Sequence, residues 1–236
     1  MHPLSATTML DVWERERAQS PSRRALALLS AACPDSSYEE LAALPVGERD
    51  ARLLALREWA FGLQMRGVAN CPACSETLEL SLPTDRMRAA APTQTDFVVC
   101  FGGEEFHARV PTTRDLLAVE AMPDADAARA VLLERCVGGR SLAELPDGAV
   151  SAIVTQMAHC DPRANIELAL ECPACRHEWL ALLNVVSFFW KEIEAWSRRT
   201  LAEVHALASA YGWTEAEILA LSPWRRQVYL EMLSIA

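Results

Sequence analysis

The tetrapeptide CPAC at residues 71–74 returns letter for letter at residues 172–175, with 97 residues between the two copies. No other feature constrains the fold as strongly. A Cys-x-x-Cys turn sets two sulfurs on one side of a tetrahedral metal ion, and its tight backbone aims N–H groups at them. A second turn completes a shell of four thiolates. The sequence distance matters little, because a fold can bring remote hairpins together. The chain therefore has to carry residue 172 back to the side of residue 71.

Both turns sit beside strand-like segments. "CPACSETLELSLP" runs from the first turn into an alternation with Leu78, Leu80 and Leu82 on one face and Thr77, Glu79 and Ser81 on the other. "NIELALECPACRHEWLALLNV" reads as strand, cysteine turn, strand. That is the zinc-ribbon arrangement, with a knuckle at the tip of each hairpin. The spacing predicts one structural zinc ion per chain, held by Cys71, Cys74, Cys172 and Cys175. Four thiolates leave no position for water or substrate. His177, two residues after Cys175, is either an alternative ligand or a surface residue behind the ligands. "HEW" is not the HExxH of a metalloprotease, since position 181 is Ala. A thioredoxin-like redox pair would need one CxxC on a βαβ unit and leaves the second copy unexplained.

The start, "MHPLSATTMLDVWERER", lacks the basic region of a secretory signal. The most apolar run, "LALLNVVSFFW", is about half of the ~20 residues a membrane span needs. These features predict a cytosolic chain, where thiols stay reduced and disulfides are rare. The remaining cysteines, Cys33, Cys100, Cys136 and Cys160, show no spacing pattern and read as small core residues.

The rest of the chain is predicted mostly helical. Residues 1–65 hold four helices. Ser20 precedes Pro21 as an N-cap, Ser37 and Glu40 form a capping box, and a stripe of Leu53, Leu56, Trp59 and Ala60 ends at Gly62. Residues 66–185 contain the two knuckles and, between them, a hairpin turning at Gly102 and Gly103, followed by three helices. Residues 186–236 are helical. Phe189, Ile193, Trp196, Thr200, Val204, Leu207 and Tyr211 recur at helical spacing before Gly212, and Thr214 opens a second capping box with Glu217. Trp190 and Trp196 fit core stripes. His107, His159 and His205 read as packed or surface histidines. The expected class is α+β: helical N- and C-terminal segments around a zinc-ribbon-like antiparallel β region with a helical insertion.

Charge narrows the function. The chain carries 22 basic and 32 acidic residues, and the middle segment holds 10 basic against 17 acidic. No segment has the basic excess that phosphate contacts demand, which weighs against the alternative of a zinc-ribbon regulator binding nucleic acid. GxSxG, GxxxxGK[ST] and GxGxxG are absent, and nothing supplies a nucleophile with its base, so no enzyme activity is expected.

Five stretches, in order, carry a family resemblance: "ALPVGERDARLLALREWAFG", "CPAC" with "LELSLP", "FHARVPTTRDLLAV", "CDPRANIELALECPACRHEW" and "EVHALASAYGWTEAEILALSPWRRQVYLEML". Over about residues 40–232 the chain resembles the baseplate hub assembly chaperone family of T-even-like contractile phage tails. The closer likeness is to the branch associated with bacterial extracellular contractile injection systems. The resemblance implies a non-enzymatic role in building a contractile-tail baseplate, in the bacterial cytoplasm or on the particle. The partners would be baseplate or hub proteins, with no membrane, nucleic acid or small-molecule substrate. Cys71, Cys74, Cys172 and Cys175 match the family's metal-like positions. Trp224 beside Arg225 and Arg226, with Tyr229 one turn on, is a candidate partner-binding group, because Trp and Arg are typical interface anchors.

Overall fold

The computed structural model describes residues 1–84 and 94–235. Residues 85–93, inside the middle segment, and residue 236 lie outside the described residues. Four helices come first: α1 (Ala6–Glu16), α2 (Pro21–Ala32), α3 (Tyr38–Ala42) and α4 (Val46–Phe61). Strands β1 (Gln64–Asn70) and β2 (Thr77–Pro83) carry the first knuckle between them. An insertion follows, made of β3 (Asp96–Phe101), β4 (Glu104–Arg109), α5 (Thr113–Val119), α6 (Ala125–Cys136) and α7 (Asp147–Cys160). Strands β5 (Glu167–Glu171) and β6 (Glu178–Leu182) carry the second knuckle, and α8 (Val185–Tyr211), α9 (Glu215–Ala220) and α10 (Pro223–Ile235) end the chain. The strands form three separate antiparallel hairpins, β1–β2, β3–β4 and β5–β6.

The first and last helical segments share one core. Leu26, Leu29, Leu53 and Leu56 from the N-terminal helices pack with Val186, Phe189, Trp190 and Ile193 from α8, and Met65 of β1 joins them. Burying such side chains contributes about 1.5–3 kcal/mol each. The 27-residue α8 therefore runs directly beneath the base of the first knuckle hairpin. It stops at Gly212, which takes the left-handed conformation at φ 68°. Helices α9 and α10 fold back on α8, where Leu10 of α1, Val204, Leu207, Ile218 and Leu219 form a second cluster. No helix among the described residues is long and apolar enough to cross a membrane.

The insertion has a core of its own. Phe97, Phe106 and Ala108 of the β3–β4 hairpin pack against Ala149 and Ile153 of α7. Gly102 and Gly103 turn the hairpin with φ of 61° and 85°, the paired positive values of a type I′ turn. Inside it, Asp115 is 1% exposed and bonded to Arg109, Arg135 and the Thr112 cap. Burial alone would raise its carboxyl, but these bonds hold it well below the usual carboxylate range.

Two carboxylates dock this insertion on the N-terminal helices. Glu120, just after α5, accepts the Ser22 N–H at 2.9 Å, and Asp161, just after α7, accepts the Gly47 N–H at 2.9 Å. Each sets negative charge at a helix N-terminus, where unpaired N–H groups and the helix dipole favour it. Ser20 occupies the expected cap position of α2 but makes no side-chain cap bond; Glu120 does that work from a distance. At Gly47 the fit is too close for a side chain, since a Cβ there would meet Asp161 Oδ1 at 1.9 Å. Gly47→Ala is expected to cost about 1–3 kcal/mol through this overpacking, measured as a fall in the urea midpoint. An unchanged midpoint would show that the insertion moves away freely.

Two expectations fail. Trp59 is 48% exposed rather than buried, although Leu53 and Leu56 are buried. The buried face of α4 is rotated to include Arg49, Asp50 and Arg57, charges that a hydrophobic pattern assigns to solvent. Among the unpaired cysteines, Cys33, Cys136 and Cys160 are buried, but Cys100 is exposed. It alternates with Phe97 and Val99, which face α7, and so points outward from β3.

Candidate metal centre

The two knuckles have the same backbone. In the first, the Cys71 N–H donates to the Glu76 carbonyl at 2.8 Å and the Ser75 N–H to the Cys71 carbonyl at 2.8 Å. In the second, the Cys172 N–H donates to the His177 carbonyl and the Arg176 N–H to the Cys172 carbonyl, both at 2.9 Å. Ser75 and Arg176 follow the second cysteine of each knuckle, and both take φ 62°. A left-handed conformation disfavours residues with a Cβ. The same departure at matching positions under different side chains belongs to the turn rather than to the residue. Pairs Asn70–Thr77 and Glu171–Glu178 close the ladders below the two turns.

The fold brings the tips together. The sulfurs of Cys71, Cys74, Cys172 and Cys175 all lie within 4.8 Å of one another, the one such ligand group among the described residues. Cys71 Sγ is 3.6 Å from Cys175 Sγ, and Cys74 Sγ is 3.6 Å from Cys172 Sγ. Both close pairs cross from one hairpin to the other. A tetrahedral ion with bonds of about 2.3 Å to sulfur needs sulfurs about 3.8 Å apart. A disulfide needs about 2.05 Å. The cage thus has the size of a metal site, and its four cysteines are free thiols.

Burial is split alike in both halves: the leading cysteines Cys71 and Cys172 are buried, and Cys74 and Cys175 face outward. Leu78 lies against the buried pair, with Leu80 and Trp179 partly covering it. His177 is not among the grouped ligands. Its ring is exposed and stacks on Trp179, centroids 6.1 Å apart.

The electrostatics favour a cation at the centre. Burial opposes ionising Cys71, yet the backbone N–H groups of Cys74 and Ala73 and the neighbouring sulfurs bring its thiol down to about 7. The Glu76 amide favours the Cys74 thiolate, but the three surrounding sulfurs and burial outweigh it and push that thiol up to about 12. One sulfur ionises readily and its neighbour resists, because adjacent thiolates repel. A divalent ion removes that conflict.

The candidate partner-binding residues divide. Arg226 is 3% exposed, and its guanidinium bonds Glu203 at 3.0 Å and the Leu221 carbonyl at 2.9 Å, tying α10 to α8. Tyr229 packs edge-on against Trp213, ring centroids 4.9 Å apart. Trp224 is 75% exposed, and Arg225 beside it is exposed as well. Only these two present their side chains outward.

Sequence reasoning did not reach Trp179 as a cover for the site. The available signal was its place in β6, where it shares the inward parity of Ala181. Arg57 was missed too. It bonds the carbonyls of Gly62 and Gln64 and the Glu192 carboxylate, and so anchors the base of the first knuckle hairpin to α8. Comparisons with protein-family models, with curated proteins and with solved structures find no match for this chain.

Proposed function

We propose that the chain is a non-enzymatic, protein-binding component in the assembly of a phage-like contractile tail or injection-system baseplate, clamped by one structural zinc ion. The observation that carries this reading is the four-sulfur cage built by two hairpins 97 residues apart. Zinc accepts four thiolates without a geometric demand of its own, and it would neutralise their charge while cross-linking the hairpins. A shell filled by Cys71, Cys74, Cys172 and Cys175 leaves no open position, which supports a structural role over a catalytic one. Pairs of strands alone are marginal, so a metal link between hairpins has a clear physical use.

The resemblance to baseplate hub assembly chaperones supports the assembly role. So does the exposed Trp224 with Arg225 on α10, a pair suited to a protein surface. The test is particle yield in cells carrying Trp224→Ala with Arg225→Ala, together with deletion of the gene. Arg226 stays untouched, because its guanidinium ties α10 to α8. The reading expects deletion to abolish particles, and the double variant to lower their yield while melting like the parent. Normal particles after deletion would overturn the assembly role. Normal particles from the folded double variant would remove Trp224 and Arg225 from it.

A further inference from the structure

The two knuckle hairpins are two-stranded, so the outer edge of each of their strands lacks a strand partner, β1 and β6 among them. The phase of the β1–β2 ladder identifies the outward groups. The Thr84 N–H bonds the Leu63 carbonyl, and the Cys71 N–H bonds the Glu76 carbonyl. In an antiparallel ladder such pairs recur at every second residue. Met65, Gly67 and Ala69 therefore bond to β2, and the N–H and C=O groups of Arg66 and Val68 point away from it. By the same count from the Leu183 N–H and Ile166 carbonyl, Leu180 and Leu182 point outward from β6.

A groove of about 470 Å³ lies between these two edges, over α8. It touches residues 65–69 of β1, five in a row, and residues 181–184 at the end of β6 and the turn into α8, but only Leu80 and Leu82 of β2 and Leu168 of β5. Alternate side chains of a strand point to opposite faces. A surface that meets consecutive residues of a strand meets its edge, whereas one that meets every second residue meets a face. The groove thus offers two strand edges with an apolar floor that includes Phe188. Val68, Leu180 and Leu182 beside it are 70%, 63% and 69% exposed.

Its charge points to the occupant. Arg66, Lys191 and Glu192 line it, but the Glu192 carboxylate is already held by Arg57 at 2.7 Å. Lys191, the only lysine in the chain, is exposed and forms no ion pair among the described residues. On a protein of net charge −10, the charge this groove presents is positive. A second copy pairing through the same edge would set Arg66 and Lys191 against their own equivalents. An exposed edge with alternating apolar contacts recognises an extended segment through its backbone.

We propose that the β1 edge is a strand-addition site for an extended segment of a partner protein, apolar at alternate positions and carrying an acidic residue set against Lys191. The proposal names the surface through which the protein-binding reading above would act, and it rests on that reading.

The test uses the full-length, metal-loaded chain and peptides selected on it from a random twelve-residue display library. The selected peptides should alternate apolar residues and carry an acid. Val68→Pro removes one outward N–H without removing a β2 ladder bond, a substitution that edge strands tolerate. It should weaken peptide binding about tenfold or more while the melting temperature holds. Lys191→Glu should do likewise, and its melt provides a second folded variant. A selection that yields no binders, peptides without acid or alternation, or binding indifferent to both variants would overturn the proposal. So would concentration-dependent dimerisation that Val68→Pro abolishes, which would assign the edge to a second copy. Deletion of the gene without effect on particles would overturn the assembly role and leave peptide binding at this edge intact.

Discussion

Cys172→Ala is expected to lower the melting temperature by about 10 °C and to expose both knuckle hairpins to protease together. Cys172 is fully buried at the centre of the sulfur cage. Its loss leaves three of the four sulfurs and weakens the link between the two tips. Structural zinc contributes about 10–16 kcal/mol in small peptides. If a quarter to a third of that is lost, about 3–4 kcal/mol, a chain of this size shifts by roughly 2–4 °C for each kcal/mol. Cleavage should appear within Gln64–Pro83 and Glu167–Leu182 alike, while the core shared by α2, α4 and α8 resists longer. An unchanged melt with unchanged protease resistance would show the site to be dispensable. Cleavage confined to the second hairpin would show that the hairpins are held independently.

Arg57→Met should cost about 3 kcal/mol with the four-sulfur cage intact. The side chain is 2% exposed, and its guanidinium donates to the Gly62 carbonyl, to the Gln64 carbonyl at 2.7 Å and to the Glu192 carboxylate at 2.7 and 2.9 Å. Methionine keeps the apolar stem but leaves two carbonyls and a carboxylate unpartnered. Breaking a buried pair from one side costs about 3–5 kcal/mol. The lower end applies, because the Glu192 side chain is 23% exposed and water can reach it. Adding Glu192→Leu should recover part of the loss, since it removes the orphaned charge. Urea denaturation measures both variants. A loss below about 1 kcal/mol for Arg57→Met would mean that water already serves these groups.

Much of the local structure was legible. The four capping or stop signals at Ser37, Gly62, Gly212 and Thr214 all fall where helices begin or end, because caps act over three or four residues. The CPAC repeat carried a long-range statement, that residues 71 and 172 meet, because metal chemistry ties distant residues in a way that periodicity cannot. Other long-range ties had no such signal. Arg57 finds Glu192 across 135 positions, and Glu120 caps α2 across 98. A charged residue read alone is assigned to solvent, so a hydrophobic pattern turns the buried face of α4 by part of a turn and puts Trp59 inside. The same assumption makes Arg226 a candidate anchor for another protein, although it is buried. Its partner Glu203 lies on the preceding long helix, 23 residues away, and no pattern links the two.

Both knuckles are proposed to bind one zinc ion between them. Native mass spectrometry of protein purified without chelator, combined with X-ray absorption at the metal edge, tests it directly. One zinc per chain surrounded by four sulfurs at about 2.3 Å is the expected result. Metal-free protein, iron in the cage, or a shell in which nitrogen or oxygen replaces sulfur would contradict it.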